Sequence, residues 1–462
     1  MKLPNIRREA TWLIPGLSIK RWVIISIVGV FLLVFGLTLA LGLQPVSFVI
    51  DILKAMAVHV PNHISGPIMV VAGAILAYFG AKKVSGTVFN AMELEGSEAS
   101  ILEAIYRRSK LLNGPRIVAI GGGTGLSTLL RGIKNYTSNV VAVVTVGDDG
   151  GSSGRLREEQ GIIPPGDIRN CIAALANEEK LITELFQYRF KTGTGLEGHS
   201  FGNLFLTAMC RITGDMMSAI KESSKVLNIR GRVLPSTLDN MKLVAEMDSG
   251  EIVEGESNIP NAKGKIKRLM SNPEHPTPLP EVIKAIEQAE LIILGPGSLY
   301  TSVIPNLLLR EISASIAKSK APKVYVANVM TQPGETDGFS VGDHIQSIID
   351  HAGFDSVISA VIVNSSLPQE LVDRYHMAGY EPVVIDTERC NAMGIEVVTK
   401  PLVDAPTDNL STQVIRHNPK QLARGIVDWF KAYQRRKGKQ PQTHAPLLNA
   451  ELLAPEPVSS QR

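Results

Sequence analysis

The chain is poor in cysteine, in aromatic residues and in net charge. Its three cysteines, Cys171, Cys210 and Cys390, are far apart and form no C-x-x-C pair. That excludes a disulfide framework, gives no cysteine-built metal centre, and fits a reducing compartment. Aromatic residues make up 5% of 462 residues, and the formal net charge is +3, too small a surplus to argue for a nucleic-acid partner. No internal repeat is visible. What the chain does have is 40 glycines, 27 prolines and 20% charged residues, the composition of a loop-rich α/β protein with one large or two modest domains.

The amino terminus stands apart. Trp22 to Leu43, "WVIISIVGVFLLVFGLTLALGL", carries no charge and is long enough to cross a hydrocarbon core of about 30 Å as a helix. Ile64 to Ala81 is a shorter apolar run containing Gly66, Pro67, Gly73 and Gly80. It reads as the return leg of a hairpin; read instead as a buried soluble helix, it leaves a single span. A cleaved signal peptide would have a shorter apolar core and no second run behind it. Lys2, Arg7, Arg8, Lys20 and Arg21 precede the first run, Lys82 and Lys83 follow the second, and the connector holds only Asp51 and Lys54. The positive-inside rule puts both ends in the cytoplasm. The expected organisation is a cytoplasmic segment at 1–21, two transmembrane helices at about 22–43 and 64–81 in the cytoplasmic membrane, and a helical stalk at 82–115. A working domain at 116–433 and a disordered tail at 434–462 complete it.

Within the domain, apolar runs of strand length alternate with helical patterns: "IVAIG" from Ile117, "VVAVVTV" from Val140, "LIILG" from Leu291, "KVYVANV" from Lys323 and "SAVIVN" from Ser359. Continuous apolar strands between helices predict a mostly parallel sheet buried on both faces. Lys242 to Ser257 reads instead as strand, Asp-Ser-Gly turn and strand, a small antiparallel excursion followed by another short strand at Lys263 to Leu269.

Ligands of open parallel sheets bind beyond the carboxyl ends of the strands, so the polar loops after strands hold the candidate site. The first, "GGGTGLST", fits neither the dinucleotide fingerprint nor a Walker loop. Gly121, Gly122, Gly123 and Gly125 nonetheless let backbone N–H groups approach an anion at a helix start, with Thr124, Ser127 and Thr128 as hydroxyl donors. The plain alternative is that these glycines only permit close strand–helix packing. The second loop, Thr145 to Gly161, offers Asp148 and Asp149 for a ribose or for Mg²⁺ through phosphate, and Arg155 and Arg157 for phosphate. A glycine-rich linker with a solvated carboxylate pair is its alternative. In the third region Asp167 reads as a helix N-cap, His199 as a possible acid or base and Asn203 as a possible base or ribose contact. In the fourth, Gly295, Gly297 and Ser298 open a second anion-ready helix start, with Tyr300, Thr301 and Ser302 beside it.

The motifs "GGGTGLS", "GDDGGSSGRLR", "PPGDIRNC", "GHSFGNLFL", "GPGSLYTSVIPNLL" and "NVMTQPGETDGFSVGDH" follow one another in the order of the gluconeogenesis factor family, and the resemblance spans Ile117 to about His417. That family is similar to, and distinct from, the CofD 2-phospho-L-lactate transferases. The resemblance implies a Rossmann-like core, a homodimer, and binding of UDP-N-acetylglucosamine without an established reaction. It further implies support of envelope precursor supply and cell shape during gluconeogenic growth, through a regulated enzyme of envelope or carbon metabolism. Tyr375 and Arg416 match that family's nucleotide-sugar contacts, where an aromatic ring stacks and a guanidinium pairs with a diphosphate. The transferase relatives imply instead a phosphorus-group transfer with Mg²⁺ at Asp148 and Asp149, and Asp149 or His199 as base. Members of the family that begin near the first glycine loop lack the stretch from Trp22 to Ala81, which here predicts a tethered, cytoplasm-facing protein.

Overall fold

The computed structural model describes residues 110–439 except 178, 194, 263, 366, 378 and 405–414, together with scattered residues between 28 and 75. The chain divides into two units, Met1–Lys110 and Leu111–Arg462. In the first, the expected spans and stalk lie almost wholly outside the described residues. The described positions there, such as Val28, Leu32, Leu33, Ile68, Val71 and Ile75, are helical with exposed apolar side chains. Among the described residues no helix is long and apolar enough to cross a membrane.

The second unit runs β1 (Ile117–Gly121), α1 (Gly123–Ile133), β2 (Val140–Val144), α2 (Gly151–Gln160), α3 (Gly166–Leu175), α4 (Glu179–Gln187), α5 (Phe201–Thr213), α6 (Met216–Val226) and β3 (Arg232–Pro235). An antiparallel insertion follows: β4 (Lys242–Met247), β5 (Ile252–Glu254) and β6 (Ile266–Asn272). The second half holds α7 (Pro280–Glu287), β7 (Leu291–Leu294), a π-helical turn (Leu299–Val303) passing into α8 (Ile304–Leu307), α9 (Arg310–Lys318) and β8 (Lys323–Val326). It ends with α10 (Val341–Ala352), β9 (Ala360–Asn364), α11 (Gln369–His376), α12 (Thr387–Ala392), β10 (Glu396–Lys400) and α13 (Pro419–Lys439).

Seven strands pair in the order β10-β9-β8-β7-β1-β2-β3, all parallel. The order reverses between β1 and β7, which makes the gap beyond their carboxyl ends the topological switch point of a doubly wound sheet. Every residue of β1, β7 and β8 is buried, as strands covered on both faces require. The strands expected at Ile117, Val140, Leu291, Lys323 and Ser359 are present. Two escaped notice. β3 reads "RVLP", a four-residue edge strand that starts on Arg and ends on Pro, and β10 reads "EVVTK", polar at both ends because it is the opposite edge. The insertion is a three-stranded sheet ordered β5-β4-β6. Its last strand starts at Ile266, not Lys263, because Gly264 has φ +115 and breaks the extended run before it. At the carboxyl end, α13 continues to Lys439, past the expected boundary at 433, since Trp429, Phe430 and Tyr433 pack on the core and Arg436 pairs with Glu396 at 3.0 Å. The tail beyond it lies outside the described residues.

α13 lies across α1 at Gly132. A β-carbon there would overlap the Pro419 carbonyl and sit 2.7 Å from the Ala423 Cβ. Gly132→Val should therefore push α13 off α1 and lower stability by about 2–3 kcal/mol in a denaturant titration, in the range of core overpacking. An unchanged midpoint would mean that this contact is loose.

Candidate functional site

Two glycine turns meet at the switch point. Gly121 ends β1 beside Gly295, whose N–H donates to the Ile120 carbonyl at 2.8 Å. A β-carbon on Gly125 would strike the Pro296 carbonyl, and one on Gly122 would lie 2.5 Å from Thr145 Cγ2 and 2.6 Å from Asp167 Oδ2. These two glycines are thus accounted for by loop-on-loop packing, while Gly123 takes a left-handed φ of +59 that favours glycine. The packing leaves a cavity of about 320 Å³ above the turns.

Of the residues marked in the sequence, the cavity brings together Thr124, Gly125, Thr128, Gly297, Ser298, Tyr375 and Arg416. Thr124 and Gly125 lie in the first turn of α1, whose N–H groups have no intrahelical acceptor and carry the positive end of the helix dipole. The Ser298 hydroxyl accepts from Gln332 Nε2 at 2.8 Å. Tyr375 stands edge to face with Tyr380 at 5.5 Å, and its hydroxyl accepts from the Ile415 N–H at 2.9 Å, leaving its own proton free to donate. A small separate core of Met330, Leu371 and Ile415 supports this aromatic wall. Arg416, next in chain, is exposed and makes no ion pair among the described residues. Gln332, Asn328 and His417 line the same cavity. Burial pushes His417 down to about 4, so it stays neutral. Gln332 and Asn328 had no sequence signal beyond lying in a recognised motif, and His417 lies outside every quoted motif.

Other marked residues serve elsewhere. Ser127 donates to the Thr124 carbonyl at 2.9 Å inside α1. Tyr300 is buried in a T-shaped contact with Phe339, its hydroxyl 3.3 Å from Ser347 Oγ. Arg155 donates to the Glu197 carbonyl at 2.8 Å, and Arg157 is buried on Asn240 and Met241 at 2.6 and 2.8 Å. His199 Nδ1 lies 3.0 Å from Ser152 Oγ, and Asn203 Nδ2 donates to the same hydroxyl at 3.1 Å. This trio ties α5 to the start of α2. Burial and Arg155 hold His199 below its ordinary pKa.

The aspartate pair divides its duties. Asp149 accepts from the Glu256 and Ser257 N–H groups at 3.0 and 2.9 Å, clamping the antiparallel insertion, while Asp148 accepts from the Gly150 N–H at 2.9 Å. Among the described residues no three His, Cys, Asp or Glu side chains are grouped closely enough to hold a metal ion. With both Asp149 oxygens and Asp148 Oδ1 on backbone donors, and no third ligand grouped with them among the described residues, the pair does not fit a ready-made Mg²⁺ centre.

Asp167 is not the N-cap of α3, a position held by Pro165. It lies in the first turn with its carboxylate packed against the start of α1, Oδ2 2.6 Å from where a Gly122 β-carbon would sit and Oδ1 3.6 Å from that of Gly123. Glu335, buried, stands beside Tyr300 in the π-helical turn after β7. Both helix starts expected to stand open therefore already carry a carboxyl group from another segment. Burial, then the neighbouring Asp148, pushes Asp167 up to about 7, against the nearby Gly123 backbone and Arg169. Burial pushes Glu335 to about 7. Glu256, swung in by the insertion, reaches about 8 through burial and the charges of Asp148, Asp149, Asp167 and Glu335.

A doubly wound sheet with its cavity at the switch point defines a Rossmann-type α/β protein whose crevice is formed between two glycine turns. The family description "2-phospho-L-lactate transferase CofD" matches residues 117–403. The gluconeogenesis factor of Bacillus subtilis is 50% identical over 318 residues, 69% of this chain and 98% of its own. A Nostoc sp. protein bearing the same designation in qualified form is 50% identical over 425 residues, 91% of this chain and 92% of its own, so that similarity reaches into the amino-terminal region. A crystal structure from Bacillus halodurans, 47% identical, superimposes with a TM-score of 0.65 over 68% of this chain and 100% of that one. The chain belongs to the CofD family and, within it, to the gluconeogenesis factors.

Asp167 gives a stability prediction. With its carboxyl near 7 in the folded protein and near 3.8 when unfolded, the folded state holds a proton that the unfolded chain releases. Its contribution is full below pH 4 and is lost as pH rises through 7. Asp167→Asn should remove about 3 kcal/mol of that decline between pH 4 and pH 8, after discounting for partial exposure. Identical pH profiles in chemical denaturation would contradict this.

Proposed function

We propose that the protein is a nucleotide-sugar-binding regulator, with UDP-N-acetylglucosamine as the type of ligand. The observation that carries the reading is Arg416, unpaired at the cavity, together with the first-turn N–H groups of α1. A guanidinium and a helix start lining one cavity suit a diphosphate. The Tyr375–Tyr380 wall suits a flat ring, and Ser298, Gln332 and Asn328 suit hydroxyls. As a gluconeogenesis factor it would act on an enzyme of envelope or carbon metabolism and so on cell shape during gluconeogenic growth, as a homodimer.

Calorimetry of the full-length chain in detergent, with UDP-N-acetylglucosamine, NAD and GTP in parallel, tests this. The UDP-sugar should bind, and Arg416→Ala should weaken it at least about tenfold, the scale of a lost charge-assisted hydrogen bond. A silent titration with the UDP-sugar would overturn the reading.

We also propose that Trp22 to Ala81 tethers the chain to the cytoplasmic membrane, with the domain in the cytoplasm. The described residues of that stretch are helical and expose Val28, Leu32, Leu33 and Ile68, which suits a lipid environment. The protein should sediment with membranes and be extracted by detergent but not by salt; recovery of intact chain in the soluble fraction would contradict the tether.

The second reading, transfer of a phosphorus-containing group, draws on Asp167 and Glu256, which hold protons near neutrality beside the crevice. It needs a measured turnover that Asp167→Asn abolishes while ligand affinity persists.

A further inference from the structure

We propose that an ionised phosphate ligand entering the switch-point cavity drives proton uptake by the protein, with Asp167 and Glu335 as the groups that receive the protons. This rests on the nucleotide-sugar reading and adds its regulation by pH. The geometry is the argument. The N-terminus of α1 faces two ways. Thr124 and Gly125 line the cavity, while Gly122 and Gly123, just before them, have the Asp167 carboxylate against their backbone, Oδ2 2.6 Å from where a Gly122 β-carbon would sit. The turn after β7 resembles this arrangement, with Gly297 and Ser298 on the cavity and Tyr300 beside the buried Glu335. Glu335 is 7% exposed, and its Oε2 has no hydrogen-bond partner among the described residues. The Met330–Glu335 segment joins the two sides, since Gln332 holds Ser298 in the cavity wall three residues before Glu335.

Each helix start therefore holds an internal carboxyl group where an external anion would also be drawn. A ligand phosphate that arrives beside ionised Asp167 meets a like charge in a confined, partly desolvated space. Like charges so placed raise the carboxyl's proton affinity. The groups facing Asp167 are Asp148, Glu256, Arg169 and Cys171; those facing Glu335 are Glu256 and Tyr300. Apart from Arg169 these are acidic or neutral, so protonation is the available way to relieve the repulsion. Both carboxyls sit near 7 without ligand, so a modest upward push captures a measurable fraction of a proton at neutral pH. Affinity for the ligand then rises as pH falls.

The test is calorimetry of the full-length chain with UDP-N-acetylglucosamine, whose diester phosphates stay fully ionised across the range. Titrations at pH 7 are run in PIPES and in Tris, buffers of small and large ionisation enthalpy. Expected are a buffer-dependent heat corresponding to uptake of about half a proton or more, and an affinity that falls roughly tenfold from pH 6 to pH 8. Asp167→Asn and Glu335→Gln, which mimic the protonated groups, should each reduce the uptake, flatten the pH dependence and bind more tightly than the wild type at pH 8. Equal heats in the two buffers for the wild type, with binding intact, overturn the proposal and leave the nucleotide-sugar reading standing. Full uptake retained in both variants also overturns it and moves the proton to another group. No heat in either buffer overturns the nucleotide-sugar reading and this inference with it.

Discussion

The site depends on one contact, the pressing of the glycine turn after β1 against the glycine turn after β7. Gly125 admits the Pro296 carbonyl where any side chain would collide, and Gly121 lies beside Gly295. That contact brings two helical starts from the two halves of the sheet to one place. It also leaves the cavity where the strand order reverses. The glycines that look like a ligand-binding signature are in large part a packing signature, and the binding surface is a consequence of the packing. Removing a glycine here would cost the crevice its shape before it cost any contact to a ligand.

Around that contact the charges are arranged in two sectors. The cavity sector carries Arg416 and the open N–H groups of α1. The sector behind it collects Asp148, Asp149, Asp167, Glu256 and Glu335 from separate segments of chain. So many carboxyl groups in a partly buried space do not all ionise at neutral pH, and Asp167, Glu256 and Glu335 are the ones held up. The antiparallel insertion is part of this arrangement. Asp149 clamps its loop through two backbone N–H groups, and His351 Nε2 on α10 accepts from Leu269 N–H at 2.9 Å on β6. The insertion thus brings Glu256 to the acidic sector and is held at two points, by the loop after β2 and by α10.

Much of the fold was legible because central parallel strands are continuous apolar runs, and "IVAIG", "LIILG" and "SAVIVN" are such runs. β3 and β10 were not legible, since edge strands are short and polar-flanked. The site was legible where a residue's type suggests its ligand, as for Thr124, Ser298, Tyr375 and Arg416. It was illegible where a residue's role depends on a distant partner. Asp167 reads as a helix cap from its place after Pro-Pro-Gly, yet its carboxylate packs against Gly122 and Gly123, at the start of another helix. Asp148 and Asp149 look like one unit, but adjacent residues point to different places, and these two serve different loops. Glu256 carried no local pattern, and Glu335 none beyond lying in a recognised motif, because only the folded insertion and the turn before α10 bring them together.

The most direct test of the account is a crystal structure of the chain with a UDP-sugar bound. It should show the diphosphate on the Thr124 and Gly125 N–H groups and the Arg416 guanidinium, with a ring against Tyr375. A ligand seated away from the two glycine turns, with Arg416 and Tyr375 untouched, would contradict it.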